Sequence, residues 1–332
     1  MTHPIPPGTR DILPDEMREL RALQTRLGEV FERFGYGEVA TPTVEYDEVL
    51  ALAGEAGAPA AHRFFDSGGD LLAMRSDMTV PIARLVGNRY QDADLPLRFF
   101  YNARAYRAVR PQRGQMGEFF QAGIELIGAE APGGTVEAIE VLAAALDAAG
   151  LNRAVIGLGD ASLYAGVLGG AGVDGPDRIE LLDLLAGRDL VGLGAALDRL
   201  ELRDEDRVLL GALPGLRGGR EVFDRARDLG AERVGAALAP LEQTFRGVEQ
   251  RGIGDRVALD LGLLRALGYY TGAILEVYDP ALGHVLGGGG RYDELMGRLG
   301  RPLPAVGFAL YLERVHVAQA EEERIAGKDS GS

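Results

Sequence analysis

The sequence contains no cysteine. This absence excludes disulfide bonds, thiolate nucleophiles and metal sites built on cysteine. Histidine is also scarce, and the four histidines, His3, His62, His284 and His316, are scattered along the chain, which disfavours a histidine-built metal site. We therefore expect no metal ion, and no motif in the sequence requires a cofactor.

Basic charge is scarce as well. The 332 residues include 50 Asp and Glu against 35 Lys and Arg, which gives a net charge of −15. Nucleic-acid-binding proteins use a broad basic surface, so this balance disfavours tRNA as a partner. The proline-rich N-terminus does not follow a signal-peptide pattern, and no apolar run reaches the length of a membrane span. We expect a cytoplasmic globular protein that does not bind membranes and is long enough for two domains.

The most informative stretch runs from Leu97 to Gly128 and predicts a long β-hairpin. In its second arm the even-numbered positions from 120 to 126 are apolar, so one face of the strand should be buried. The opposite face carries Gln121 and Glu125 on the same side, with Gly123 between them leaving space above the sheet. This pattern predicts a floor under a small polar ligand. An ordinary amphipathic hairpin with a solvated polar face explains the alternation equally well.

Charged and polar residues follow the ends of two predicted hairpins. Arg107 precedes a long charged loop in the first hairpin, and a cation beside a carboxylate-lined floor suits an amino acid or a phosphate. A shorter hairpin over residues 64–74 is followed by Asp77 and Thr79. Either side chain can cap a helix that begins near Pro81, and capping alone would account for both.

The other segments predict a mixture of helices and strands. We expect a first helix capped by Asp15 and ended by Gly35, and a strand over residues 36–44 that Pro42 interrupts. Residues 166–254 predict helices without a clear strand and without a chemical constellation. The glycine run at 287–290 permits either a ligand or a tightly packed strand to approach closely, and is a weak signal alone. Further elements are predicted at 135–150 (helix), 154–158, 257–261 and 273–278 (strands) and 304–317 (strand, then helix).

Several motifs taken together resemble the catalytic core of histidyl-tRNA synthetase, a class II aminoacyl-tRNA synthetase. In order along the chain they are GTRDILP, RSDMT, RPQRG with FFQAGIELIG, RALGYYTG, GGGGRYDEL and PAVGFALYLER. The resemblance spans Gly8 to Arg314 and implies an α+β fold, with a mostly antiparallel sheet flanked by helices. It implies a core over residues 1–165 and 255–320, a helical insertion over 166–254 and a flexible tail over 321–332. It also implies a homodimer formed through the first helix and the Pro42 segment.

The same resemblance implies a histidine pocket. Glu125 is expected to meet the imidazole together with Tyr270, Asp77 and Thr79 to hold the α-amino group, and Arg107 to meet the carboxylate. Asp77 stands where the synthetases have glutamate, and Arg265 matches their catalytic arginine. The full set of implied histidine-binding residues is Asp77, Thr79, Arg107, Gln121, Glu125, Arg265, Tyr269, Tyr270 and Tyr292.

The nucleotide side of the resemblance is incomplete. Val109, Gln115 and Gly117 stand where the synthetases carry charged residues, so contacts to ATP are lost, although Arg314 is kept. Tyr311 replaces a glycine and is expected to fill the space that an adenine needs. Only 18 residues follow Arg314, too few for an anticodon-binding domain.

We therefore expect no catalytic residues. These departures resemble the regulatory paralogues of this family, which assemble with the short catalytic subunit of ATP phosphoribosyltransferase, activate it and take part in its feedback inhibition by L-histidine at the first step of histidine biosynthesis. One alternative is a truncated synthetase-like enzyme that activates histidine or a similar amino acid. A second is an interaction protein whose pocket no longer binds a ligand.

Overall fold

The structure is a computed structural model that describes residues 3–52, 61–108, 116–264, 270–280 and 282–329, without the side chains of 231–233 and 326–329. The strands are β1 Gly37–Glu38, β2 Val44–Tyr46, β3 Arg63–Phe65, β4 Leu71–Met74, β5 Leu97–Tyr106, β6 Glu118–Ile127, β7 Val155–Asp160, β8 Arg217–Gly218, β9 Val257–Asp260, β10 Ala273–Tyr278, β11 Val285–Arg291 and β12 Ala305–Tyr311. The helices are α1 Pro14–Arg33, α2 Asp47–Leu52, α3 Thr79–Arg89, α4 Gly133–Ala148, α5 Ala161–Gly170, α6 Gly175–Ala186, α7 Leu190–Arg199, α8 Asp204–Ala212, α9 Glu221–Gln250, α10 Asp293–Arg298 and α11 Leu312–Asp329.

Two sheets organise these elements. The large sheet has nine strands in the order β1-β5-β6-β12-β11-β10-β7-β9-β8. Its pairs are antiparallel except β1 with β5 and β7 with β9, which run parallel. The small sheet has the order β2-β4-β3 and is antiparallel. The predicted α+β class with a mostly antiparallel sheet is therefore confirmed.

The predicted long hairpin is also confirmed. β5 and β6 pair in one unbroken register from Leu97 opposite Ile127 to Tyr106 opposite Glu118. The apolar face of β6 is buried in the main core, where helices α1, α4 and α11 cover the sheet. Phe31 of α1 contacts the rings of Phe100 and Phe308, with centroids 5.6 and 6.1 Å apart. The polar face of β6 is thereby directed to the other side of the sheet, where α3 and α10 belong to a second core.

Three details of the sequence interpretation are wrong. Leu13, and not Asp15, is the N-cap of α1, because the helix begins two residues earlier than predicted, at Pro14, whose fixed φ suits the first helical position. The segment 36–44 does not form one strand, since β1 and β2 belong to different sheets. Residues 321–329 are helical and not a flexible tail, and the carboxylate of Glu322 accepts hydrogen bonds from the backbone N–H groups of residues 152 and 153.

The remaining elements agree with the sequence interpretation more closely. The short hairpin of β3 and β4 is present, and so are the strands expected at 154–158, 257–261 and 273–278. The segment 166–254 is mainly helical but contains the two-residue strand β8, which pairs with β9. Among the helices that the structure describes, none is long and apolar enough to cross a membrane.

Candidate functional site

The register of four neighbouring strands builds a trough on the polar face of the large sheet. Gly123 of β6 lies opposite Ala309 of β12, which in turn lies opposite Gly288 of β11. These three residues form a central row with almost no side-chain atoms. Gln121 and Glu125 lie two residues before and after Gly123 on β6, and their side chains are on the same face as this row. Four residues of extended strand separate these two, or about 13 Å at 3.4 Å per residue.

Glycine is required along this floor by close contacts. A Cβ atom on Gly123 would lie 2.6 Å from the hydroxyl oxygen of Tyr101, and a Cβ atom on Gly307 would lie 2.7 Å from Cδ of Glu125. Both distances are far inside van der Waals contact. The glycine run at 287–290 belongs to strand β11, which confirms the interpretation as a packed strand. Gly288 and Gly289 also line the cavity.

An open cavity lies above the trough. Six of the residues predicted from the resemblance line it, and Glu125 lies beneath them with only 1% of its surface exposed. Arg265 and Tyr269, like Val109 and Gln115, lie outside the residues that the structure describes. The predicted residues at the cavity wall are Asp77, Thr79, Arg107, Gln121, Tyr270 and Tyr292.

Two hydroxyl groups hold the carboxyl group of Glu125. Thr79 Oγ1 donates to Oε1 at 2.8 Å, and the hydroxyl of Tyr292 donates to Oε2. Burial raises the pKa of Glu125 to about 8, although the two hydrogen bonds oppose the rise, and the nearby charge of Asp77 adds to it. At neutral pH this group is therefore mainly protonated. A buried carboxyl group that gains or loses its proton near pH 8 can exchange a proton with an imidazole.

Asp77 lies at the beginning of α3. Its Oδ1 accepts a 3.4 Å hydrogen bond from the N–H of Val80. The helix begins at Thr79, two residues before the predicted Pro81, and its N-cap residue is Met78, so the prediction that Asp77 or Thr79 is the N-cap is wrong. Burial raises the pKa of Asp77, and the positive charge of Arg107 opposes this rise. Asp77 and Arg107 thus provide one group of each sign at the same cavity. Thr79, predicted to hold an amino group together with Asp77, lines the cavity and donates a hydrogen bond to Glu125.

Two polar atoms at the cavity are buried and unpaired. Oε1 of Gln121 and Nε of Arg107 have no hydrogen-bond partner within the described parts of the chain. A buried polar atom without a partner costs about 1–3 kcal/mol. Both side chains line the cavity, so a ligand with a hydrogen-bond donor and a carboxylate would satisfy them.

Tyr311 ends the trough. It is the last residue of β12 and lies opposite Gln121, on the face that forms the floor. Its ring contacts Phe119 edge to face at 5.4 Å, and the guanidinium carbons of Arg107 and Arg314 lie 5.9 and 4.9 Å from its centroid.

Tyr101 and Arg75 were missed by the sequence interpretation. Tyr101 lines the cavity opposite Gly123, and its place on β5 follows from the hairpin register. Arg75 is buried and donates to the carbonyl oxygens of Thr41 and Arg104, at 2.7 and 2.8 Å, which fixes the segment that carries Asp77. Its position two residues before Asp77, in the RSDMT motif, was the available signal.

The fold and the cavity define a class II synthetase-like protein with a polar pocket on one face of its large sheet. The family model "Histidyl-tRNA synthetase" matches residues 8–315. The chain is 41% identical to the ATP phosphoribosyltransferase regulatory subunit of Moorella thermoacetica, over 96% of this chain and 82% of that protein. It is also 41% identical to the same subunit of Symbiobacterium thermophilum, over 98% and 82%. The chain belongs to the ATP phosphoribosyltransferase regulatory subunits, within the wider histidyl-tRNA synthetase family.

Solved structures agree with this assignment. An ATP phosphoribosyltransferase regulatory subunit/histidyl-tRNA synthetase from Bacillus halodurans superposes with a TM-score of 0.88 at 33% identity, covering 96% of this chain and 84% of that one. A histidyl-tRNA synthetase from Nostoc superposes with a TM-score of 0.81 at 22% identity, covering 97% and 76%, and supports the fold alone. No cluster of three or more His, Asp or Glu side chains suited to a metal occurs in the residues that the structure describes.

Proposed function

We propose that the chain is a non-catalytic regulatory subunit of ATP phosphoribosyltransferase that binds L-histidine in the cavity above β6. The observation that carries this proposal is the distribution of charge in the cavity. A buried carboxyl group whose pKa is raised to about 8 lies beneath the cavity, and a second buried carboxyl group, Asp77, and the guanidinium of Arg107 line it. Free histidine presents the complementary groups, an imidazole, an ammonium and a carboxylate.

In this proposal Glu125 receives the imidazole and Arg107 the carboxylate. Asp77 and Thr79 hold the α-amino group. Gln121 Oε1, which is buried without a partner among the described residues, accepts a hydrogen bond from the ligand. Tyr270 and Tyr292 form the wall, and Arg265 and Tyr269 complete the proposed set. Tyr311 lies beside Arg107 where the two cavities meet, and it stands where the synthetases have glycine, which supports a binding role over amino-acid activation.

The proposed partner is the short-form catalytic subunit, and the proposed effect of histidine is a shift between two arrangements of the complex. A ligand shifts such an equilibrium only through different affinities for the two arrangements, and this coupling is reciprocal. Binding of the catalytic subunit must therefore change the affinity for histidine by the same factor. The names of the relatives support the catalytic partner but not these details.

We also propose a homodimer that includes the segment after Pro42. The small sheet that begins there exposes large apolar side chains, which is uncommon for a monomer surface. They are Val44, Tyr46, Phe64, Phe65 and Leu71, and Phe65 is 72% exposed.

For the domains, we propose a helical insertion over 166–254 within a synthetase-like core, because β7 before it and β9 after it are neighbours in one sheet.

Calorimetric titration of histidine into the purified chain, with and without the catalytic subunit, tests the proposal. We expect binding by the wild type, loss of binding in Glu125→Ala, and a changed affinity when the catalytic subunit is present. Glu294→Ala is the matched control, because its side chain is 71% exposed on α10. A folded wild-type chain that does not bind histidine would refute the pocket, and an unchanged affinity with the partner would refute the coupling. Histidine-dependent ATP–pyrophosphate exchange would instead establish an activating enzyme.

A further inference from the structure

Two cavities meet at Arg107 and Tyr311. The first is the cavity above the trough. The second, of about 320 Å³, lies on the other side of these two residues and is also lined by Met116, Phe119, Glu313 and Arg314. A ligand that extended from the first cavity towards the second would have to pass the ring of Tyr311.

The strand register explains why Tyr311 closes this end. The residues of β12 that face the trough are Ala305, Gly307, Ala309 and Tyr311, so a single large side chain follows three small ones. Its ring is held from several directions, by Phe119 at 5.4 Å and by the guanidinium groups of Arg107 and Arg314. A ring packed in this way cannot leave its place without breaking these contacts.

Arg107 is the cation at this end of the first cavity. Its guanidinium carbon lies 4.9 Å from the ring centroid of Phe119 and 5.9 Å from that of Tyr311, and its charge lowers the pKa of Asp77 against the effect of burial. A ligand carboxylate that pairs with Arg107 therefore ends against Tyr311. The space beyond the carboxylate is occupied by the phenol ring.

We infer that Tyr311 is a specificity-determining residue, which restricts the cavity to amino acids with a free α-carboxylate and excludes ligands that continue beyond the carboxyl carbon. This inference rests on the proposed histidine site and deepens it. The ring excludes an extended ligand in two ways: by its volume, and by holding Arg107 where only a terminal carboxylate meets it.

The test compares L-histidine with the dipeptide histidylglycine, which keeps the imidazole and the amino group but continues past the first carboxyl carbon. Both ligands are titrated calorimetrically into the wild type, Tyr311→Ala and Tyr311→Phe. We expect the wild type to bind the dipeptide at least about 10-fold more weakly than histidine, as for a ligand that overfills a shaped pocket. Tyr311→Ala should reduce this ratio to about 3-fold or less, whereas Tyr311→Phe should keep it because the ring remains.

Each outcome of these titrations either supports or overturns the inference about Tyr311. Equal affinities of the wild type for the two ligands would overturn it, and this measurement needs no variant. An unchanged ratio in Tyr311→Ala would also overturn it, after circular dichroism has shown that the variant is folded. If Tyr311→Ala does not fold, Tyr311→Val, which suits the end of a strand, replaces it. Failure of histidine itself to bind the wild type would refute the proposed site, and is thus distinguishable from a failure of the Tyr311 inference alone.

Discussion

Replacing Glu125 by glutamine should make the protein more stable at neutral pH while it damages the site. The side chain is 1% exposed, and burial raises its pKa to about 8 from an ordinary value of 4.5. Between these two pH values the unfolded chain has released the proton and the folded chain still holds it. Unfolding therefore releases a proton, and a rise in pH favours the unfolded state. The contribution of Glu125 to stability is complete below pH 4.5 and is lost as the pH rises through 8.

The magnitude follows from the size of the shift. One pKa unit corresponds to about 1.4 kcal/mol, so the whole shift corresponds to about 5 kcal/mol as an upper value. Between pH 5 and pH 7 the wild type should lose about 2–3 kcal/mol of unfolding free energy relative to Glu125→Gln. The amide of glutamine has almost the same shape. Its oxygen accepts a hydrogen bond from one of the hydroxyls of Thr79 and Tyr292, and its NH2 group donates to the oxygen of the other, so both contacts are kept while the titration is removed.

Urea denaturation at pH 5, 6, 7 and 8 and constant ionic strength measures this difference. The exposed substitution Glu294→Gln serves as the control and should follow the wild type at every pH. The reasoning would be refuted if the wild type and Glu125→Gln showed parallel pH dependence, because the pKa of Glu125 in the folded chain would then be ordinary. Histidine should bind Glu125→Gln more weakly even where that variant is the more stable protein.

Other predictions follow from the same features. Histidine affinity, measured by titration from pH 5 to 9, should be nearly constant between about pH 6.5 and pH 8. It should fall below and above this range, because the complex holds one proton between Glu125 and the imidazole, and at each extreme that proton count must change on binding. A steady rise in affinity through pH 8 would contradict this prediction. Gly123→Ala should lower the unfolding free energy by about 1–3 kcal/mol in a denaturant titration and abolish histidine binding, since its Cβ meets Tyr101. The control Gly169→Ala, which meets nothing within 4 Å in helix α5, should be neutral or stabilising by up to about 1 kcal/mol. Phe65→Asp should weaken the proposed homodimer in sedimentation velocity without changing the melting of the monomer, and an unchanged association would argue against that interface.

The sequence predicted the parts of the site that depend on local pattern. Alternation along one strand was enough to place Gln121 and Glu125 on the same face, because side chains in a strand alternate whatever surrounds it. It did not decide between a solvated face and the buried one that the structure shows. The hydrogen bond from Thr79 to Glu125 was not predictable in this way, since the two residues are 46 positions apart in the sequence and only tertiary packing brings them together. The resemblance brought these distant segments together, but it assigned Thr79 to the amino group of the ligand.

Helix starts were less predictable for a similar reason. Asp15 is a good capping residue by type, but Pro14 begins the helix one position earlier and leaves Asp15 within the first turn. The end of α11 was missed because its anchor is tertiary: Glu322 accepts hydrogen bonds from residues 152 and 153. Composition alone gives no sign of such a contact.

The small residues on the floor of the trough limit how the volume of this pocket can change during evolution. Its central row consists of Gly123, Ala309 and Gly288, so nearly every substitution there adds atoms, and the room available to a ligand can only shrink. Enlargement has to come from the walls, where Tyr101 and Tyr311 are large side chains that a single codon change can reduce. Relatives that accept bulkier ligands should therefore differ at these tyrosines, while their floors stay the same.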